Sequence, residues 1–161
     1  MSTTSEHPPV RAVLDRFFGA EAAYLAAGGP GRAPFDDLAS CLTPDVTLVQ
    51  ADGLPYGGVY RGPDGVERFM AEMSRYWTSL DFLEQRFVID GDTAVVFNRG
   101  TLTARGSGRR LETAVMQLMT LRGGRIADIR PFYWDTLAVA RTLGPDASRA
   151  SRSPGGPEAA G

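Results

Sequence analysis

Apolar residues recur along this chain first with a helical and then with a strand-like period. Val10, Val13, Leu14, Phe17, Phe18, Tyr24 and Leu25 follow the i, i+3, i+4, i+7 spacing of an amphipathic helix, which Gly28-Gly29-Pro30-Gly31 ends. Residues 35–42 predict a short second helix. Thr43-Pro44-Asp45 then turns the chain into a β-branched strand over residues 46–49. A loop over residues 52–58 follows. Pro63 suits the first turn of a third helix, whose stripe is Val66, Phe69, Met70, Met73 and Trp77. Beyond it the pattern predicts strands over residues 82–89, 93–104, 111–121 and 125–134, separated by glycine-rich turns. Asp135 is placed to cap a closing helix that runs to Leu143, with Gly144 past its end.

Helices followed by a run of strands predict an α+β domain: a curved, mostly antiparallel sheet around three N-terminal helices, with a short C-terminal helix. Its expected extent is residues 9–143. Residues 1–8 form a polar leader, and residues 144–161 hold only Gly, Pro, Ala, Ser and charged types, so both are expected to be disordered. Two strands are apolar on both faces, Ala94-Val95-Val96-Phe97 and Ala114-Val115-Met116-Gln117-Leu118-Met119. Helices can cover only one face. A second subunit covering the other predicts a homodimer.

Composition narrows the chemistry. The chain has 161 residues and a net charge of −2, which gives no general attraction to nucleic acid or to an anionic membrane. No apolar run approaches the roughly 18 residues of a membrane span, and no signal segment opens the chain, so a cytoplasmic protein is expected. Every one of the 17 basic residues is arginine, which removes side-chain Schiff-base chemistry. Cys41 is the single cysteine and His7 the single histidine, so no intrachain disulfide forms and no histidine-based metal site or catalytic dyad is expected.

Several local motifs stand in a recognisable order. They are Leu42-Thr43-Pro44-Asp45-Val46-Thr47 after two helices, Tyr60-Arg61-Gly62-Pro63-Asp64-Gly65-Val66 opening the third, Asp90-Gly91-Asp92-Thr93-Ala94-Val95 at a hairpin, and Gly124-Arg125-Ile126 leading to Phe132-Tyr133-Trp134-Asp135. In this order they resemble the cone-shaped domain of the nuclear transport factor 2-like superfamily, which includes ketosteroid isomerase, limonene epoxide hydrolase and the SnoaL-like polyketide cyclases. The resemblance implies a pocket for an apolar small molecule. It also implies cofactor-free acid–base chemistry (cyclisation, isomerisation or epoxide opening) in bacterial specialised metabolism such as antibiotic biosynthesis. The chain departs from the enzymes at key points. Gln50 stands where the isomerase carries its aspartate base, Gln117 where it carries its oxyanion-hole aspartate, and Phe132 where the hydrolase carries its last-strand aspartate. Trp134 matches a pocket aromatic of the superfamily. Amides in place of acids keep a second reading open, a non-catalytic protein that binds an apolar metabolite.

Each candidate residue carries two readings. Gln117 and Asn98 interrupt apolar strands, as ligand donors or as partners of other protein groups. Asp52 lies two residues beyond Gln50 and is either a displaced base or an exposed turn residue beside Gly53. Asp135 is an acid or base at the pocket mouth, a helix N-cap, or both. Tyr24 either points its hydroxyl at the ligand or packs in the core. Tyr56 overhangs the cavity or serves a glycine turn, and Trp77, Phe132, Tyr133 and Trp134 are cavity wall or packing. The catalytic set is then Asp52, Asp135 and Tyr24, the binding set Gln50, Tyr56, Trp77, Asn98, Gln117, Phe132 and Trp134, with no metal.

Overall fold

The computed structural model describes residues 8–144. The leader and tail expectations and His7 therefore lie, but for Pro8 and Gly144, outside the described residues. Helix α1 (Val10–Ala26) buries Val13, Leu14, Phe17, Phe18 and Tyr24 on one stripe and stops where Gly28 and Gly29 take positive φ. Helix α2 (Asp36–Ala39) has only four residues. It stops short of the expected residue 42, and Thr43, which precedes Pro44, lies in extended chain as that position favours. Strand β1 (Leu42–Gln50) accordingly begins four residues earlier than the pattern implied, with an irregularity between Leu42 and Thr47.

Strand β2 (Gly58–Arg61) occupies part of what the sequence reads as loop. Helix α3 (Gly62–Tyr76) carries Pro63 in its first turn and buries Val66, Phe69, Met70 and Met73. Trp77 is not the last residue of that helix, as its spacing suggested. Its backbone is extended, and it opens strand β3 (Trp77–Asp90) by pairing with Ala104. Strands β4 (Thr93–Ala104), β5 (Arg110–Arg122) and β6 (Arg125–Tyr133) complete a meander, and helix α4 (Thr136–Leu143) closes the chain.

The six strands form one open sheet in the order β2-β1-β6-β5-β4-β3. All neighbours are antiparallel except β1 and β6, which are parallel, so the sheet is mixed. Helix α3 packs on β1 and β2, and α1 packs against α2 and β3. The inner face of β4 alternates and presents Ala94, Val96 and Asn98; on β6 Ile126 and Ile129 are both buried, because the ladder skips Ala127 at an irregularity. One continuous core joins this face to the helices. No described helix is long and apolar enough to cross a membrane.

Candidate functional site

The core stops short of filling the cone. A cavity of about 90 Å³ lies between the inner face of the sheet and helices α1 and α3. Its apolar wall includes Phe17, Leu48, Phe69, Met70, Met73 and Ile129. A groove of about 560 Å³ adjoins it, and Glu21, Met73, Trp77, Leu80, Asp81 and Phe82 line both. The groove is therefore the natural route from solvent to cavity.

Polar side chains break the apolar wall at several points. Glu21 projects from α1 one turn beyond Phe17. Gln50 and Tyr56 come from the end of β1 and the following loop, Asn98 from β4 and Gln117 from β5. Tyr133 at the end of β6 joins them. Gln50 and Asn98 keep only 4% and 3% of their surface.

Glu21 is the electrostatic centre of the group. Burial among apolar neighbours pushes its carboxyl from an ordinary 4.5 up to about 7, and no charged partner opposes that shift. The residue as a whole is of intermediate exposure because part of its surface faces the cavity and groove. Burial also drives the Tyr133 hydroxyl well above its usual range. Contacts with Tyr56 and the nearby Glu21 charge add to that rise, while a hydrogen bond with Gln50 opposes it. Tyr56 is buried and accepts a hydrogen bond from Trp77 Nε1 at 3.2 Å. The three aromatic side chains thus form a polar string through an apolar wall. A carboxyl poised near neutrality beside such a string can accept and return a proton at physiological pH.

The comparisons with known proteins can be set on this geometry. The SnoaL-like domain model matches residues 10–129. The chain belongs to this family. The SnoaL-like chain resembles a nuclear transport factor 2-like protein from Burkholderia xenovorans LB400, with a TM-score of 0.71 and 22% identity over 84% of this chain and 95% of that one. TerC co-crystallised with polyporic acid superposes with a TM-score of 0.72 at 18% identity, over 86% of this chain and 100% of that one. A putative SnoaL-like polyketide cyclase from Jannaschia sp. CCS1 gives 0.66 at 20% identity, over 87% and 99%. These likenesses establish the cone fold. No curated protein sequence matches the chain.

Within the SnoaL-like cone, Gln50, Tyr56, Trp77, Asn98 and Gln117 come together around the cavity. The three candidate catalytic residues do not join them. Asp52 is exposed in the turn after β1. Asp135 is exposed, and its Oδ1 accepts from Ala138 N at 2.8 Å, which is the N-cap bond of α4. Tyr24 is buried outside the cavity lining, with its hydroxyl 3.5 Å from Glu67 Oε1. Phe132 and Trp134 are likewise not cavity wall, with 56% and 85% of their surface exposed. The cause is strand alternation: Pro131 and Tyr133 take the inner face, so the residues of opposite parity face outward.

Glu21 and Tyr133 line the cavity but are missing from the candidate set. Glu21 was legible, since it lies between Phe17 and Tyr24 at i+4 and i−3 on the apolar stripe, where a carboxyl must be buried. Among the described residues no group of three or more His, Cys, Asp or Glu side chains could hold a metal.

Proposed function

We propose that this SnoaL-like domain is a cofactor-free acid–base enzyme acting on an apolar small molecule, with Glu21 as the group that moves the proton. The observation that carries the reading is the position of Glu21: a carboxyl raised to about 7 by burial, on the wall of an apolar cavity, at its junction with the groove. The Glu21 carboxylate takes a proton from a carbon next to a substrate carbonyl. The C–H electron pair moves to the carbonyl oxygen as an enolate, and the proton returns to another atom of the same substrate. Cyclisation and isomerisation in bacterial specialised metabolism both follow this course. Tyr56 and Tyr133 hold the substrate against the carboxyl and keep water from the opposite wall.

The test is exchange of α-carbon hydrogen for deuterium in small aryl ketones, followed by NMR in D2O. The wild-type rate is expected to rise with pH through about 7 as Glu21 ionises. Glu21→Gln is expected to lower it about 100-fold or more. A Glu21→Gln variant that retained wild-type exchange would remove the reading. The presence of Gln50 and Gln117 in place of acids favours the second reading, a binding protein without turnover, which wild-type exchange no faster than buffer would select.

The same reading includes a homodimer. The outer face of the sheet carries Phe97, Met116 and Phe132 in one cross-strand row, with Val95 and Leu118 in the next. Met116, Leu118 and Phe132 are exposed in the single chain. Arg99, paired with Glu84 and Glu112, edges the patch with charge. A second copy of the same face would bury the row and leave the charges at the rim.

A further inference from the structure

Two amides in the cavity wall lack opposite halves of their hydrogen bonds. Gln85 Nε2 donates to Asn98 Oδ1 at 2.9 Å, which leaves Asn98 Nδ2 a buried donor without a partner. The Gln50 side chain lies beside Tyr133 in the same wall, and its Oε1 is a buried acceptor without a partner. Both residues are more than nine-tenths buried, and both line the cavity. Thr43 Oγ1 is also unpartnered, but Thr43 lies outside the cavity lining.

Buried polar groups are normally satisfied, so an orphan donor and an orphan acceptor in one cavity describe what must enter it. They sit on different walls. Asn98 is on β4 and Gln50 on β1, with β6 and β5 between them, about 14 Å along a flat sheet and less across a curved one. The last torsion of an amide side chain is soft, so each group can turn its free atom toward the cavity without leaving its rotamer. The Glu21 carboxyl faces the same space from α1.

We propose that this cavity selects a small ring compound that presents a carbonyl oxygen to Asn98 Nδ2 and, at its other end, a hydroxyl hydrogen to Gln50 Oε1. The substrate class is a hydroxy-carbonyl compound of about one ring. A second carbonyl in place of the hydroxyl would set acceptor against acceptor at Gln50. A hydroxyl in place of the carbonyl would bring a hydrogen of its own to Asn98, which would have to share Oδ1 with Gln85 Nε2. An all-carbon ring would leave both amides unpaired. The inference deepens the acid–base reading, since a carbonyl held at Asn98 is the group whose neighbouring carbon Glu21 would deprotonate. The recognition pattern itself rests on the two amides.

Calorimetric titration with 3- and 4-hydroxyacetophenone, acetophenone, phenol and ethylbenzene tests it. The better hydroxyacetophenone is expected to bind at least tenfold more tightly than acetophenone or phenol, with ethylbenzene weakest. Asn98→Leu should erase its advantage over phenol and keep its advantage over acetophenone. Gln50→Leu should do the reverse. The wild-type ranking alone carries the test should either variant not fold. Equal binding across the series, ethylbenzene as the best ligand, or no binding by any of the five overturns the proposal. Glu21→Gln should keep the ranking while losing deuterium exchange. A ranking that holds without wild-type exchange removes the acid–base reading and keeps this one, and exchange without the ranking does the opposite.

Discussion

The Glu21 carboxyl lies close enough to the Tyr133 hydroxyl for its charge to help push that hydroxyl above its ordinary range. The two groups approach from α1 and from the end of β6 and line the same cavity. With Glu21 raised to about 7 and Tyr133 far above, Glu21 is the member of this pair that changes charge between pH 5 and 8. Gln50, Tyr56 and Asn98 face it without charge, while Asp81 lines the same cavity from β3.

That position has a cost in stability that titration will reveal. Glu21 has a higher pKa folded than unfolded, so the native state holds more protons between pH 4.5 and 7. Stability then falls as pH rises through that window, and the contribution present below 4.5 is gone above about 7. The expected loss is about 1–3 kcal/mol, allowing for the part of Glu21 that solvent reaches. Urea unfolding at pH 4.5 and pH 8 is the measurement. The wild type should lose this amount relative to Glu21→Gln, and parallel pH profiles for the two proteins would show that Glu21 is not desolvated.

A second prediction concerns the hydrogen bond from Trp77 Nε1 to the Tyr56 hydroxyl. Both side chains are buried, at the junction of the 52–57 turn and the start of β3. Tyr56→Phe removes the acceptor and leaves the indole N–H unpaired in an apolar wall. The expected cost is about 1–3 kcal/mol by urea denaturation. Trp77→Phe also costs stability, but the double variant should cost about 1 kcal/mol less than the sum, because it removes donor and acceptor together. Strict additivity would mean that the bond contributes nothing.

Local periodicity reached most of this architecture and stopped where tertiary contacts decide. Strand β4 was read to the residue because Asp90-Gly91-Asp92 and Arg105-Gly106 bracket an apolar, β-branched run. Strand β2 was not, since its four residues have no apolar repeat and exist only through pairing with β1. Trp77 was placed on the wrong element because it continues the helical stripe of Met70 and Met73, while its pairing with Ala104 makes it a strand residue. At the site, Asn98 and Gln117 were legible as polar breaks in apolar strands. Phe132 and Trp134 were misplaced by likeness to relatives, although parity with Tyr133 assigns them outward. Glu21 carried a signal, a carboxyl on a buried stripe, but only the fold shows that this stripe borders an empty space.

Asp135 separates two roles that its position in sequence left joined. Its side chain is committed to Ala138 N, the orphan amide at the start of α4. Asp135→Ala should therefore destabilise the protein by about 0.5–2 kcal/mol and leave deuterium exchange at its wild-type rate per folded molecule. Thermal unfolding and the exchange assay on one preparation give both values. A large loss of exchange with unchanged stability would return Asp135 to the catalytic group.

The outer sheet face provides the last prediction. Met116 lies between Phe97 and Phe132 in the cross-strand row, and Arg86 stacks its guanidinium 5.1 Å from the Phe97 ring centroid. In a lone chain this row would face water across three adjacent strands, an arrangement that soluble monomers rarely keep. In a two-fold dimer each Met116 would contact its own counterpart or that of a neighbour in the row, so one substitution acts twice. Met116→Glu is expected to convert a dimer to a monomer in sedimentation velocity. Because Met116 is half exposed in the single chain, the variant should stay folded. Wild-type protein that sediments as a monomer at tens of micromolar would show that the apolar row serves some other contact.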